Sequence, residues 1–563
     1  MISDSIPAFG GHASSRELGH VANNSNLETV IQNENLKVFV YGVPQKVDYY
    51  FLDQNSFLWN GGFKSTQRPN DFDYKIIDNK FIYLKFEDAK LNVYTDHFSK
   101  IPLFYSWDNE TLTFASSLEL LLLLKPNKLN SFDNNGLLFY YNFGFSNYQN
   151  HLIDDVQSVA GGQHLEYNFK SNQFKINTYY NIFNIEKYNS NSNSLEENVK
   201  AIDDELLKAT KSSIHNFNKI GIALSGGVDS GYLAQKINEC DRKFNAYTLG
   251  FENDYNEFER IDYLSKKLDF KANKIIINSN DIINNYMEVV NKSSFPVGFN
   301  NSILNIIYKQ ANADGIDLMF DGDGADRLFL GMNKYLQLEK ILEIYGTAKG
   351  LKVKHLVVRF LKYVKHPSAA KLRFYFQKFN EGYPFYGERK LSNNINYVKE
   401  FETILNSLAL PKELKEIGDS IDSWLFFSLF SVYYTPGFFF HTPYELQLKH
   451  NITSNPQFWS DKMVELALSI PVKQKLYKKT TKMVLREAAI TKIDDGYWNL
   501  SKIGLQNSYQ YIKQSKEGHE FINDNVEQIK SSDEYAFLKE VQPDQDIDAE
   551  RLLPYFIWKK TMR

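Results

Sequence analysis

Six consecutive residues, Ser225-Gly226-Gly227-Val228-Asp229-Ser230, combine what is needed to hold a phosphate group. Adjacent glycines let the main chain turn sharply and bring its N–H groups close to an anion, and a helix starting there adds the positive end of its dipole. The hydroxyls of Ser225 and Ser230 are donors for phosphate oxygens, whereas the carboxylate of Asp229 beside an anion calls for a divalent cation between them. A lone Gly-Gly is an ordinary turn; the full string fits a phosphate cradle better. No Gly-Lys-Ser/Thr follows the glycines, so this is not a Walker A loop. A second string, Asp321-Gly322-Asp323-Gly324-Ala325-Asp326, alternates three carboxylates with small residues. By itself it is compatible with a calcium-type loop or a solvated acidic turn, although the ligand spacing and terminal Glu of an EF-hand are absent.

Both strings follow apolar runs. Ile220, Ile222 and Leu224 read as a strand before the first, with a helical pattern over Tyr232, Leu233 and Ile237 after it, and Leu318-Met319-Phe320 ends a strand before the second. Further strands at 244–251, 274–277 and 316–320 alternate with helical patterns, which predicts a parallel sheet covered by helices on both faces. Ligands of such sheets lie at the carboxyl ends of the strands, where both strings fall. The first half differs. Residues 1–35 read as loops, and short apolar runs at 37–41, 47–51, 74–77, 81–86, 91–94, 103–105 and 112–114 predict a β-rich domain. An Asn/Ser-rich linker at 189–194 separates expected domains 1–188 and 195–563, the second carrying an insertion at about 338–440.

A chain of 563 residues has room for roughly two to four domains, and 43 % apolar with 23 % charged residues is a globular composition. A net charge of −4 supplies no basic field for nucleic acid. Cys240 is the single cysteine, which excludes an intrachain disulfide and a cysteine-based zinc or iron–sulfur site. The start has neither the basic nor the apolar region of a signal peptide, and no window is apolar enough to span a bilayer, so a cytoplasmic protein is expected. Residues 351–372 mix basic and apolar positions, as in a solvated helix over a core or a docking helix for an acidic partner or a membrane.

The two strings also carry a resemblance. Ser225–Ser230 resembles the PP-loop of the ATP pyrophosphatases, the group that includes asparagine synthetase, and 321–329 is similar to that family's Ser-Gly-Asp/Glu-Gly-x-Asp-Glu-Leu-Phe-Gly-Gly loop. Ala246-Tyr247-Thr248-Leu249-Gly250-Phe251 with Asn256-Glu257 resembles its adenine-side strand. Residues 463–471 and Thr480-Thr481-Lys482-Met483-Val484-Leu485-Arg486-Glu487-Ala488 agree closely with later segments, and Ser501-Lys502-Ile503-Gly504-Leu505 stands at its Lys-x-Gly-Phe position. In the first half, Thr95-Asp96-His97-Phe98-Ser99-Lys100-Ile101-Pro102-Leu103-Phe104-Tyr105 and Leu112–Ser117 look like the Arg-Asp-x-x-Gly-x-x-Pro-Leu-Tyr-Tyr … Phe-Ala-Ser-Glu stretch of the glutaminase half. The resemblance covers about 37–515.

It implies an α/β chain: a β-rich Ntn-type glutaminase-like domain, then a parallel-sheet PP-loop synthetase domain. It further implies ATP contacts from Leu224, Ser225, Gly226, Gly227, Asp229, Ser230, Leu249 and Gly322, and Mg²⁺ held by Asp229 and Asp326. Asp323 would occupy the acid/base position facing the acceptor, and Lys502 would reach the α-phosphate or the adenylate. A substrate carboxylate would attack the α-phosphorus, releasing pyrophosphate, and an amine would then displace AMP from the acyl-adenylate.

Departures from the pattern narrow the reaction. Ile2 stands where the family's glutaminase has its nucleophilic cysteine, and neither Arg-Gly-Pro-Asp nor Asn-Gly-Glu-Ile-Tyr-Asn is present, so the first domain reads as a relic without glutamine hydrolysis. Tyr444-Glu445-Leu446-Gln447-Leu448 and Gln457-Phe458-Trp459-Ser460 replace Asp-Arg-x-Ser-Met and Pro-Phe-Leu-Asp, which argues against aspartate as substrate. Arg327 replaces an acidic residue, and Leu500 an arginine. Family members lacking the cysteine are typically lasso-peptide cyclases and β-lactam synthetases, and the latter carry tyrosine at the place of Asp323. Intramolecular amide formation on a peptide or natural-product precursor is therefore expected, with a precursor peptide and its leader-processing protein as partners. The alternatives are an amide synthetase using ammonia or a free amine on a small molecule or sugar, and a non-catalytic homologue; the intact Ser225, Asp229, Asp326 and Lys502 weigh against the last.

Overall fold

The computed structural model describes residues 7–14, 27–32, 35–41, 49–53, 56–59, 73–75, 80–125, 132–144, 146, 151–181, 190–252, 256–332, 334–364, 366, 368–369, 372–373, 376, 440–477, 480–490, 493, 507–541 and 547–562. Ile2, Leu500, Lys502 and most of the expected insertion lie outside them.

Strands of the first half form two six-stranded antiparallel sheets. One runs in the order 157–158, 104–107, 111–115, 8–14, 36–41, 27–32; the other runs 173–178, 163–168, 90–95, 82–87, 56–59, 49–53. Alternating side chains from both sheets meet in one core, where the ring of Phe9 lies 5.5 Å from those of Phe57 and Trp59. Two expectations fail here. Residues 1–35 contain two strands, Ala8–Ser14 and Leu27–Gln32, the first central in its sheet and fully buried. Gly10 and Gly11, which read as turn residues, are required by close pairing instead: an added Cβ would meet the Phe114 carbonyl oxygen at 2.6 Å and the Lys37 carbonyl oxygen at 2.3 Å. Conversely, Tyr74 and Lys75 form a turn rather than a strand, with the Tyr74 ring tilted against that of Tyr94 at 4.2 Å.

The second half contains a five-stranded parallel sheet in the order Lys271–Ile277, Phe244–Phe251, Ile220–Ala223, Leu318–Phe320, Thr453–Ser454. Successive residues of its strands enter different cores. Phe244 and Ala246 pack with Leu233, Ile261 and Leu264 on one face, and Tyr247, Leu249 and Phe251 with Ile282, Tyr286 and Ile307 on the other. Burial on both faces explains the near-continuous apolar strands. In chain order the strands run 3-2-1-4-5, so the direction of winding reverses between Ile220–Ala223 and Leu318–Phe320. A crevice must open at the carboxyl ends of that pair, and the two chemically suggestive strings are the loops leaving them.

The halves are joined by the segment 440–461. Trp59 Nε1 donates to Tyr444 Oη at 3.1 Å, and Lys80 Nζ to Gln447 Oε1 at 2.7 Å and the Ser454 carbonyl at 3.0 Å. His441 Nε2 bonds the Ser99 carbonyl at 2.9 Å, and His97 Nδ1 bonds Asp461. Tyr444 and Gln447 belong to the stretch that departs from the asparagine synthetase pattern, and here they serve contact with the first half. The C-terminal helix Ala549–Thr561 also returns to it: Asp548 N donates to Tyr141 Oη at 3.0 Å, and Trp558 packs near Phe132.

Trp459 is the hinge-pin of this junction. It is buried, contacts Phe98 from the first half and Phe440, and lies against Gly324 of the acidic loop, where an added Cβ would meet its Nε1 at 2.7 Å. Trp459→Ala should destabilise the protein by about 3–5 kcal/mol, read as a lower midpoint of denaturant unfolding. An unchanged midpoint would show that the ring fills no essential space.

Candidate functional site

Leu224 is fixed first: its N–H donates to the Tyr247 carbonyl at 2.9 Å, carrying the sheet one residue beyond the strand. The chain then turns, and Ser230 Oγ closes the turn by donating to the Ser225 carbonyl at 2.9 Å while accepting from Ser225 N at 3.1 Å. The two serine hydroxyls lie 3.1 Å apart. Helix Val228–Glu239 begins here without a side-chain cap, so its positive end faces the crevice. Gly226 N donates to Glu257 Oε2 at 2.9 Å, a carboxylate seated where the loop is built to receive an anion. Gly226 must lack a side chain, because a Cβ would meet Arg260 Cδ at 2.8 Å.

The acidic loop abuts the glycine loop. A Cβ on Gly322 would meet Ser230 N at 2.9 Å and Asp229 Cβ at 3.0 Å, so the two loops touch through a glycine. Asp321 accepts from Asp323 N at 3.0 Å and from Ser454 Oγ at 3.5 Å. Asp323 faces the open mouth of the crevice with protein on its other sides. Desolvation there and the neighbouring Asp321 carboxylate push its carboxyl up to about 7. Asp326 leaves the loop on a short helical turn, Ala325–Leu328, and heads back toward Asp229.

A lysine from a third element completes the centre. Lys482 Nζ contacts Asp229 Oδ2 and lies 2.5 Å from Asp326 Oδ1. Lys482 is buried and left-handed, with φ 55°, just before helix Met483–Ala489. Gly331 packs directly on this pair, since a Cβ there would lie 1.9 Å from Lys482 Cε and 2.0 Å from Asp326 Oδ1. Arg486, one turn further, bonds the Thr481 carbonyl at 3.0 Å and adds positive charge toward Asp229 and Asp326.

Beside these groups lies a crevice of about 320 Å³, lined by the apolar Leu224, Leu249, Ile303 and Ile307 and by the polar Ser225, Ser230, Asp229 and Asp323. Apolar groups for a flat ring and polar groups for phosphates in one crevice suit a nucleotide. Along a strand, main-chain groups two residues apart face the same edge. Tyr247 bonds Leu224, so the Leu249 main chain faces the same side, past the end of Ile220–Ala223 and toward the crevice.

The structure thus lines one crevice with Leu224, Ser225, Asp229, Ser230, Leu249, Gly322 and Asp323, while Gly226 and Gly227 belong to the same glycine loop and Asp326 meets Asp229 through Lys482. Lys502 lies outside the described residues. Sequence reasoning did not single out Lys482, Arg486 or Glu257, although each sat inside a quoted string. Among the described residues no three His, Cys, Asp or Glu side chains form a ready metal cage. Two carboxylates do converge on one cation, the Lys482 ammonium, and that donor set fits Mg²⁺, which keeps waters and takes phosphate oxygens beside one or two carboxylates.

Family comparison places residues 201–542 in the asparagine synthase model and residues 80–180 in that of a glutamine amidotransferase domain. The second match begins beyond strand Ala8–Ser14. No curated protein matches the chain. Among solved structures, the glutamine phosphoribosylpyrophosphate amidotransferase of B. subtilis, complexed with ADP and GMP, is similar at 10 % identity over 48 % of this chain and 60 % of that one. This chain therefore spans about 60 % of that protein's length, and the TM-score of 0.18 is too low to build on.

Replacing Lys482 by Met should leave two facing carboxylates with only the more distant charge of Arg486 to offset them, which costs on the order of 1–3 kcal/mol because Asp326 is partly open to water. The variant is expected to melt lower than the parent in EDTA and to recover most of that difference in millimolar Mg²⁺. Equal melting of the two proteins in EDTA would remove Lys482 from the charge balance.

Proposed function

Because this chain belongs to the asparagine synthase family, we propose that it is an ATP-dependent carbon–nitrogen ligase that forms AMP and pyrophosphate and joins a carboxylate to an amine without hydrolysing glutamine. What carries this is the meeting of Asp229 and Asp326 on one cation, next to a glycine loop and a helix N-terminus that suit phosphates. ATP lies with adenine against Leu249 and its phosphates over Ser225–Ser230. Magnesium, when bound, neutralises phosphate charge and favours pyrophosphate as leaving group. Asp229 and Asp326 would hold it, and the Lys482 ammonium between them would pair with phosphate oxygens. The Ser225 and Ser230 hydroxyls and the loop N–H groups orient the chain of phosphates, Glu257 giving up its place on Gly226 N.

The substrate carboxylate attacks the α-phosphorus, and the acyl-adenylate is then opened by an amine. Asp323 faces that space and, sitting near neutrality, can take the proton the amine loses. Lys502 stabilises the charge that builds on the adenylate. The amine belongs to the same molecule as the acid, so the product is a cyclised peptide or natural-product precursor. Two features support this: the absence of the glutamine-pocket strings Arg-Gly-Pro-Asp and Asn-Gly-Glu-Ile-Tyr-Asn, and Tyr444 and Gln447 replacing residues of the aspartate pocket to bond Trp59 and Lys80.

Incubation with Mg²⁺, [α-³²P]ATP and candidate carboxylates should release AMP and pyrophosphate in equal amounts; ADP and phosphate would overturn the adenylation chemistry. Glutamate released from glutamine would overturn the glutamine-independent part alone. Asp323 must be ionised to act as base, so the amide-forming rate should climb as pH rises through about 7 and level above it. In Asp323→Asn that rate should fall by ~10²–10⁴ and lose the climb, while ATP–pyrophosphate exchange persists; an unaltered pH profile would exclude Asp323 as the base.

A further inference from the structure

Among the described residues, six of the nine exposed large apolar side chains lie in one stretch of chain. Ile344, Leu351, Leu356, Phe360, Tyr363 and Val364 are all exposed, Leu356 by 61 %, Phe360 by 70 % and Tyr363 by 82 %. They belong to helix Lys334–Gly350, helix Lys354–Leu361 and the turn after it. Helix Lys354–Leu361 does not need them for folding. Its inner face already packs on the core of the second half through Val353, Val357, Val358 and Leu361. Leu356 and Phe360, at i and i+4, lie outside that face, and exposed Tyr363 follows in the turn after the helix, where a solvated surface would be polar.

Charge distinguishes this patch further. The chain as a whole is acidic, yet residues 344–380 contain no Asp or Glu at all. The exposed apolar residues alternate instead with exposed Lys352, His355, Arg359, Lys362 and His366. A second copy of the chain is a poor occupant, because a two-fold contact would set these like charges against one another. A convex helix with aromatic tips and a single sign of charge matches a continuous anionic sheet, with the apolar tips entering it and the basic groups at the headgroup level.

We propose that helix Lys354–Leu361 and its flanks dock on an anionic lipid bilayer, lying on it in the interface. No helix among the described residues is long and apolar enough to cross a membrane, so this contact is peripheral and reversible. Helix Lys334–Gly350, which leads from the acidic loop to the patch, packs against strand Thr480–Thr481 beside Lys482. Docking would therefore hold the mouth of the ligase site close to the membrane surface.

The full chain should sediment with vesicles of equimolar phosphatidylcholine and phosphatidylglycerol at low salt and stay in solution with phosphatidylcholine alone. Half-molar salt should release it. The triple variant Lys352→Gln, Arg359→Gln, Lys362→Gln should partition about a hundredfold more weakly, at roughly fivefold per basic residue. Leu356→Ser with Phe360→Ser should weaken binding at least tenfold. All these side chains are exposed, so both variants should keep the parent's melting temperature and ATP–pyrophosphate exchange. Absence of vesicle binding by the parent, equal binding to neutral vesicles, or undiminished binding by the variants would each overturn the proposal. So would a dimer by light scattering that both variants dissolve, which would make the patch a contact between copies.

Discussion

The second half of this protein is held in working order by one charge balance. Asp229 and Asp326 come from different loops and would repel each other across the crevice; the Lys482 ammonium, arriving from a third element, lets them approach. Burial of the Lys482 ammonium makes the balance strict, because a charge shielded from water must be matched by neighbours rather than by solvent. Gly331 and Gly322 are the spacing it requires: one lies on the lysine–aspartate pair, the other where the two loops touch. The anion cradle shows the same economy, with the Glu257 carboxylate on the Gly226 N–H. Internal groups of each sign thus occupy the positions suited to a cation and to a phosphate, and a metal–nucleotide complex has matching charges to exchange with.

The first half relates to this centre through packing. Lys80 reaches the Ser454 carbonyl, and the Ser454 hydroxyl reaches Asp321 next to the reactive loop. Trp459 touches Phe98 on one side and Gly324 on the other. Removing the first half would expose the floor beneath the acidic loop, which Phe98 and Lys80 help to pack.

Two substitutions against the family pattern show how backbone geometry outlasts residue identity. Ser99 and Leu330 stand at positions where the pattern has glycine, and both keep a left-handed backbone, with φ 51° and 56°. An L side chain is strained in that region, and Leu330 tolerates it while fully buried. The turn is held by what surrounds it: Ser99 N bonds the Asp96 carbonyl, and Gly331 N the Asp326 carbonyl.

The glycine loop, the acidic loop and the alternation of strands and helices were legible in the sequence because each depends on neighbours within a few residues. Local spacing sets the turn, the helix start and the strand period, and the resemblance to the asparagine synthetase family then named the residues expected around the crevice. The strand Ala8–Ser14 was not legible, because its glycines answer to carbonyls at Phe114 and Lys37 rather than to a turn. Nor was the role of Lys482, which reaches Asp229 across 253 positions of chain. Tyr444 and Gln447 read only as departures from a pattern until Trp59 and Lys80 were found opposite them. The sequence by itself determined which groups were available for phosphate chemistry. The tertiary structure alone decided which charges face one another, because that depends on how strands of distant origin are ordered in the sheet.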